Sequence, residues 1–175
     1  MIKVTIDSIR VSLMTQHRVA ILKEDSSERY LPIWIGPCEA DSITVRLQNL
    51  EMARPLTHDI LAQTISDLGG NVLHVSIHDL RNDVFYASIV IEQNSEQIEL
   101  DARPSDALAL AVRTHIPIFV TTEVMEKASI TPEDDITYDN DTTNNLPEEE
   151  SNLSAFSDFV DSLDLDNLDS KTGQE

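Results

Sequence analysis

Cysteine is almost missing from this 175-residue chain, where Cys38 stands alone. One cysteine makes neither an intrachain disulfide nor a cysteine zinc cage, and this suits a reducing, cytoplasmic compartment. Glycine is nearly as scarce, with four residues. No G-x-x-x-x-G-K-[ST] or G-x-G-x-x-G loop occurs, so no phosphate-cradling loop is available and no organic cofactor is expected. Zinc-finger and helix-turn-helix patterns are also missing. Aromatics make up only 5% of the chain, which leaves Ile, Val, Leu and Ala to build the core. No run of 18 apolar residues exists, so no membrane span is expected. The opening MIKVTIDSIRV lacks a basic region followed by a long apolar stretch, and it reads as a strand rather than a signal peptide.

Positive charge is short as well. Twelve Lys and Arg face 32 Asp and Glu, a net −20. Such a balance disfavours simple electrostatic capture of nucleic acid, which needs cations facing phosphates. The deficit is unevenly spread. Residues 1–130 hold 18 acids and 11 Lys or Arg, a balance of −7, whereas residues 131–175 hold 14 acids and one Lys, a balance of −13. The chain therefore divides into a mildly acidic domain, 1–130, and a strongly acidic appendage, 131–175. The first part of that appendage, TPEDDITYDNDTTNNLPEEE (131–150), is a polar linker. In LSAFSDFVDSLDLDNL (153–168), Leu153, Phe156, Val160 and Leu163 recur at three or four, which predicts an amphipathic helix with an acidic outer face and a surface for a protein partner.

Within 1–130 the pattern predicts a mixed α+β fold. Strands are expected at 2–14, 18–23 and 29–35, with a DSSE turn at 25–28, as an antiparallel meander. Pro32 marks the third strand as an edge or a bulge. A helix opens at Gly36-Pro37, with Glu39 in its first turn. A second helix is expected at 57–68, with Thr57 as its cap and Gly69-Gly70 as its stop. Strands at 71–80, 84–92 and 96–101 follow, then a helix at 105–114, a buried strand at 116–120 and a short helix at 121–128. Trp34 is expected in the core.

Two segments echo each other at an offset of 67 residues: PCEADSITVR (37–46) and PSDALALAVR (104–113). Both read P-x-[DE]-A-x-x-[IL]-x-V-R, and each follows a strand and opens a helix. A duplicated strand-to-helix unit and convergent helix-start chemistry both explain the match.

LPIWIGPCEADSI (31–43), RPLTHDIL (54–61) and DARPSDALALAVR (101–113) carry a resemblance to the bifunctional nuclease (BFN) domain family over about residues 1–130. FSDFVDSLDLDNL (156–168) is similar to the short helical tail of many members, though without its basic residues. The resemblance implies a mixed α+β domain that associates as a homo-oligomer and a nuclease acting on DNA and RNA. It carries no settled catalytic residues.

The candidate site residues come from the helix starts. Asp101, Arg103, Ser105 and Asp106 form the densest polar group, where an anion could sit on free N–H groups with Arg103 as phosphate partner. Asp101 or Asp106 could support hydrolysis, and Glu39 with Asp106 could hold Mg²⁺ or Mn²⁺ if the two junctions are adjacent. His58 is a candidate general base and Arg54 a candidate phosphate ligand. For each, the ordinary alternative is capping, pairing or dipole compensation at a helix start. His74 and His78 on one strand lie about 13 Å apart, too far for one metal. His17 and His115 read as loop residues, and Cys38 lacks a visible base. Two functions fit: a metal-assisted nuclease, whose acidic tail could mimic nucleic acid over a basic cleft, or a non-enzymatic regulatory or ligand-binding module that docks a partner through its tail.

Overall fold

A computed structural model of the protein describes residues 1–11 and 17–131. The expectations for 12–14, for the acidic linker and for the helix at 153–168 lie outside the described residues.

Alternating apolar residues give three strands, β1 (Ile2–Val11), β2 (Arg18–Glu24) and β3 (Tyr30–Ile35), joined as the expected antiparallel meander. Buried Glu24 anchors the β2–β3 turn, accepting hydrogen bonds from Ser26 at 2.8 Å, Ser27 at 2.7 Å and Arg29 Nε at 2.7 Å. Helix α1 (Pro37–Leu47) follows with Gly36 as N-cap and proline at N1. Helix α2 spans Thr57–Asp67. Its N-cap is Leu56 rather than Thr57, because the Asp59 carboxylate reaches back and accepts the Leu56 N–H at 2.8 Å. Gly69, at φ 81°, lets the chain leave α2 as its composition predicted.

A second meander follows: β4 (Asn71–Arg81), β5 (Val84–Gln93) and β6 (Glu96–Ala102). With so few glycines, its two tight turns place Asn82 and Asp83 (φ 49° and 61°) and Asn94 and Ser95 (φ 53° and 66°) in the left-handed region. Two successive positive φ values suit the right-handed twist of a hairpin. Helix α3 (Pro104–Thr114), strand β7 (Ile118–Val120) and helix α4 (Thr122–Ala128) complete the described fold.

All seven strands share one sheet, in the order β3-β2-β1-β7-β4-β5-β6. Strand β7 pairs antiparallel with β1 and parallel with β4, which makes the sheet mixed. The sequence echo thus has a structural counterpart: two three-stranded meanders, each ending in an edge strand that runs into a proline-opened helix. Helices α1 and α3 pack together, so the two junctions meet. The end of β3, the start of β5 and the start of α3 line one cavity, which brings the two strand-to-helix junctions to the same side of the sheet.

The core is Ile, Val, Leu and Ala with Met125, and α3 is its central helix, with Ala107 to Ala111 all buried. Trp34 is not in it. Leu31 and Ile33 take the buried face of β3, so the two-residue period turns Trp34 outward; it is 50% exposed, edge-on to His17 at 5.5 Å. Among the described residues, no helix is long and apolar enough to cross a membrane.

Candidate functional site

The first turns of α1, α2 and α3 line one cavity of about 510 Å³. Cys38, Glu39, Asp41 and Ser42 come from α1, Thr57 and His58 from α2, and Arg103 and Asp106 from the start of α3. Helix starts carry free N–H groups and the positive end of the dipole, so three together favour an anion.

Four residues predicted separately are joined here. Arg103 Nη2 donates to Glu39 Oε1 at 2.8 Å and to Asp106 Oδ1 at 3.1 Å, while its Nε donates to Asp106 Oδ2 at 2.7 Å. His58 Nε2 lies 3.2 Å from Asp106 Oδ1. Burial pushes the Asp106 carboxyl up, but hydrogen bonds from Arg103 and His58 outweigh it and hold the group below the ordinary aspartate value. The hydrogen bond and charge of Asp106, then those of Glu39, raise the Arg103 pKa. The Arg103 side chain is nonetheless 67% exposed, so it can turn to an incoming anion.

Behind this group lies a network that sequence reading missed. Buried Arg113, from α3, donates Nε to Asp59 Oδ1 at 2.7 Å, Nη1 to the Ala109 carbonyl at 2.7 Å, and Nη2 to Ser42 Oγ at 2.9 Å and the Ser42 carbonyl at 3.1 Å. Ser42 Oγ is 3.0 Å from His58 Nδ1. The bond directions follow. A guanidinium only donates, and an ionised Asp106 only accepts, so Nε2 of His58 carries a proton toward Asp106, and in the neutral imidazole Nδ1 accepts the Ser42 hydroxyl. Both ring nitrogens are engaged. Arg113 had a signal in the repeated P-x-[DE]-A-x-x-[IL]-x-V-R pattern; Ser42 had none, since Ala109 stands at its repeat position.

The other candidates lie elsewhere. Asp101 is on exposed β6 opposite Ser88 and does not line this cavity. Ser105 is buried behind Arg103, beside a cavity that includes Trp34, and no side-chain hydrogen bond caps α3. Arg54 lines an adjoining cavity of about 550 Å³ with Arg46, Asp59 and Arg113. His74 and His78 have separate partners, the Phe119 ring at 5.5 Å and Ser88 Oγ at 3.2 Å.

The Glu39 and Asp106 oxygens both contact the single nitrogen Nη2, where a divalent cation would have to lie to meet both. Two carboxylates suit Mg²⁺ or Mn²⁺, which keep most of their waters. Among the described residues there is no group of three His, Cys, Asp or Glu placed to hold a metal ion, so waters or a substrate would complete such a shell.

Residues 20–133 match the family model of the bifunctional nuclease domain. Over 166 residues, 95% of this chain and 97% of the other, the sequence is 37% identical to an uncharacterized protein of Mycobacterium tuberculosis. It is 30% identical over 108 residues to bifunctional nuclease 2 of Oryza sativa subsp. japonica, covering 60% of this chain and 33% of that protein. With bifunctional nuclease 1 of Oryza sativa subsp. indica the identity is 27% over 111 residues, 62% of this chain and 34% of that one.

Proposed function

The chain belongs to the bifunctional nuclease domain family, and on that premise we propose that it hydrolyses phosphodiester bonds of DNA and RNA at the cavity where α1, α2 and α3 begin. The observation that carries the reading is the convergence there of Glu39, His58, Arg103 and Asp106, drawn from three separate helix starts. The plant relatives named as nucleases support the reaction class.

In this reading Arg103 leaves the two carboxylates and takes a phosphate oxygen, with the helix N–H groups supporting the same charge. Glu39 and Asp106 would hold Mg²⁺ or Mn²⁺, which would supply Lewis-acid polarisation of the phosphate and lower the pKa of a bound water. His58 Nδ1 is placed to take a proton from an attacking water once the Ser42 hydroxyl turns aside. The reading does not use Asp101 or Ser105. Four of the chain's eight arginines, Arg46, Arg54, Arg103 and Arg113, line the two adjoining cavities beside the carboxylates Glu39, Asp41, Glu51, Asp59 and Asp106, so phosphate contacts there would be local ones made by single arginines. A homo-oligomer belongs to the same proposal, with exposed Ile98 and Leu100 on the edge strand β6 as its surface.

The test is cleavage of single- and double-stranded DNA and RNA by the full-length protein in Mg²⁺, Mn²⁺ or EDTA. Metal-dependent cleavage that falls by at least ~10²-fold in a Glu39→Ala, Asp106→Ala double variant is expected. Cleavage that survives the double variant rejects this site. No cleavage by folded protein under any condition rejects the nuclease and leaves the ligand-binding module.

A further inference from the structure

The second cavity extends this site, and the inference from it rests on the nuclease reading. Its wall shares Val45 and Met52 with the first cavity, so the two adjoin. Arg46, at the end of α1, and Arg54, just before α2, line it. Both are exposed, and among the described residues neither makes an ion pair. Arg113 in the same wall is different, because its charge is already matched by Asp59 at 2.7 Å. The apolar ground between the arginines is open too: Leu50 is 52% and Met52 51% exposed. Arg46 acts on Asp59 through its charge but forms no salt bridge with it, and Glu51 shares the wall. Two exposed arginines free of salt bridges, beside solvent-exposed apolar side chains, suit a ligand with anionic and flat apolar parts in alternation.

We propose that the two cavities form one track for a single nucleic-acid strand, with one phosphate at Arg103, neighbouring phosphates at Arg54 and Arg46, and a base resting on Leu50 and Met52. A single strand offers its base faces as well as its phosphates, whereas a duplex keeps those faces stacked inside. The track therefore selects single-stranded segments over duplex. On this proposal a chain of net −20 holds an anionic polymer locally, through Arg46, Arg54 and Arg103, rather than by overall charge.

The experiment is fluorescence anisotropy of a labelled 12-nucleotide single strand, and of the duplex of the same sequence, with full-length protein in EDTA over a range of salt. The single strand is expected to bind at least ~10-fold more tightly than the duplex. An Arg46→Gln, Arg54→Gln double variant loses two phosphate contacts, so its slope of log K against log salt should be shallower by about 1.4. Met52→Asp should weaken single-strand binding without flattening that slope. An unchanged slope in the double variant, or a duplex bound as tightly as the single strand, overturns the track. So does wild-type protein that binds no strand, even if it cleaves a small phosphodiester such as bis(p-nitrophenyl) phosphate. Salt-dependent single-strand binding with the expected variant effects, but no cleavage in metal, supports the track and sinks the hydrolytic reading instead.

Discussion

Gly36 illustrates how one atom governs this site. It sits at the N-cap of α1, where φ is −69° and glycine's special freedom is not needed. What is needed is space, since a Cβ there would collide with the Glu39 carboxylate. That carboxylate is the end of a flexible side chain, so it would swing rather than distort the backbone. Gly36→Ala should thus cost only about 0.5–1 kcal/mol while removing Glu39 from Arg103. A crystal structure of the variant with the Glu39–Arg103 contact intact would reject this. Asp59 offers a second residue-scale test. Burial raises its pKa, but the Leu56 N–H, the Arg113 hydrogen bond and charge, and Arg46 outweigh that, so the folded value lies below the ordinary 3.8. Above pH 3.8 the group is ionised in both states and its contribution is complete. Below it, the unfolded chain binds a proton that the folded chain resists, so stability is lost as pH falls through the folded value. Asp59→Asn should cost on the order of 2 kcal/mol at pH 7, and urea melts at pH 7 and pH 3 should show the difference shrinking in acid.

At the scale of elements, the two meanders were legible because each is local: strand runs of alternating polarity, polar turns, then Pro at a helix start. Even the edge position of β3 was written in Pro32, whose missing N–H suits an outer strand. The turns themselves carry strain that composition hints at. With so few glycines, Ser95 adopts φ 66°, where an ordinary side chain crowds its own backbone. Ser95→Gly should raise stability by roughly 0.5–1 kcal/mol, read as a higher melting temperature; a lower one would mean that the serine side chain contributes more than its backbone costs. Trp34 was misread as core for an element-scale reason. A large apolar residue in a strand is buried only if its parity matches the inner face, and Leu31 and Ile33 already set that face.

For the whole molecule, the uneven charge raises the question of what residues 131–175 do. If they compete with nucleic acid for the arginine-lined cavities, removing them should raise cleavage and tighten strand binding severalfold, with the effect fading above about 0.5 M salt as charges are screened. Unchanged or lower activity would reject that competition. Association is a separate matter. Light scattering should give a multiple of 19.6 kDa, and Ile98→Lys with Leu100→Lys should return the chain to a monomer, because charge on an edge strand blocks edge-to-edge pairing.

The element order, the α+β class, the Pro-opened helices and the repeated helix start were determined by the sequence alone, because each depends on neighbours within a few residues along the chain. Glu39, His58, Arg103 and Asp106 were nameable from the same local signals. Their meeting was not: the contacts that build the site join residues 64, 48 and 16 positions apart. Tertiary structure decided that. The end of β3 meets the start of α3 across one cavity, α1 packs on α3, and buried Arg113 ties Ser42 and Asp59 to the same helix. For that reason Ser42 gave no warning in the sequence, and Asp101, only two residues before Arg103, was left outside.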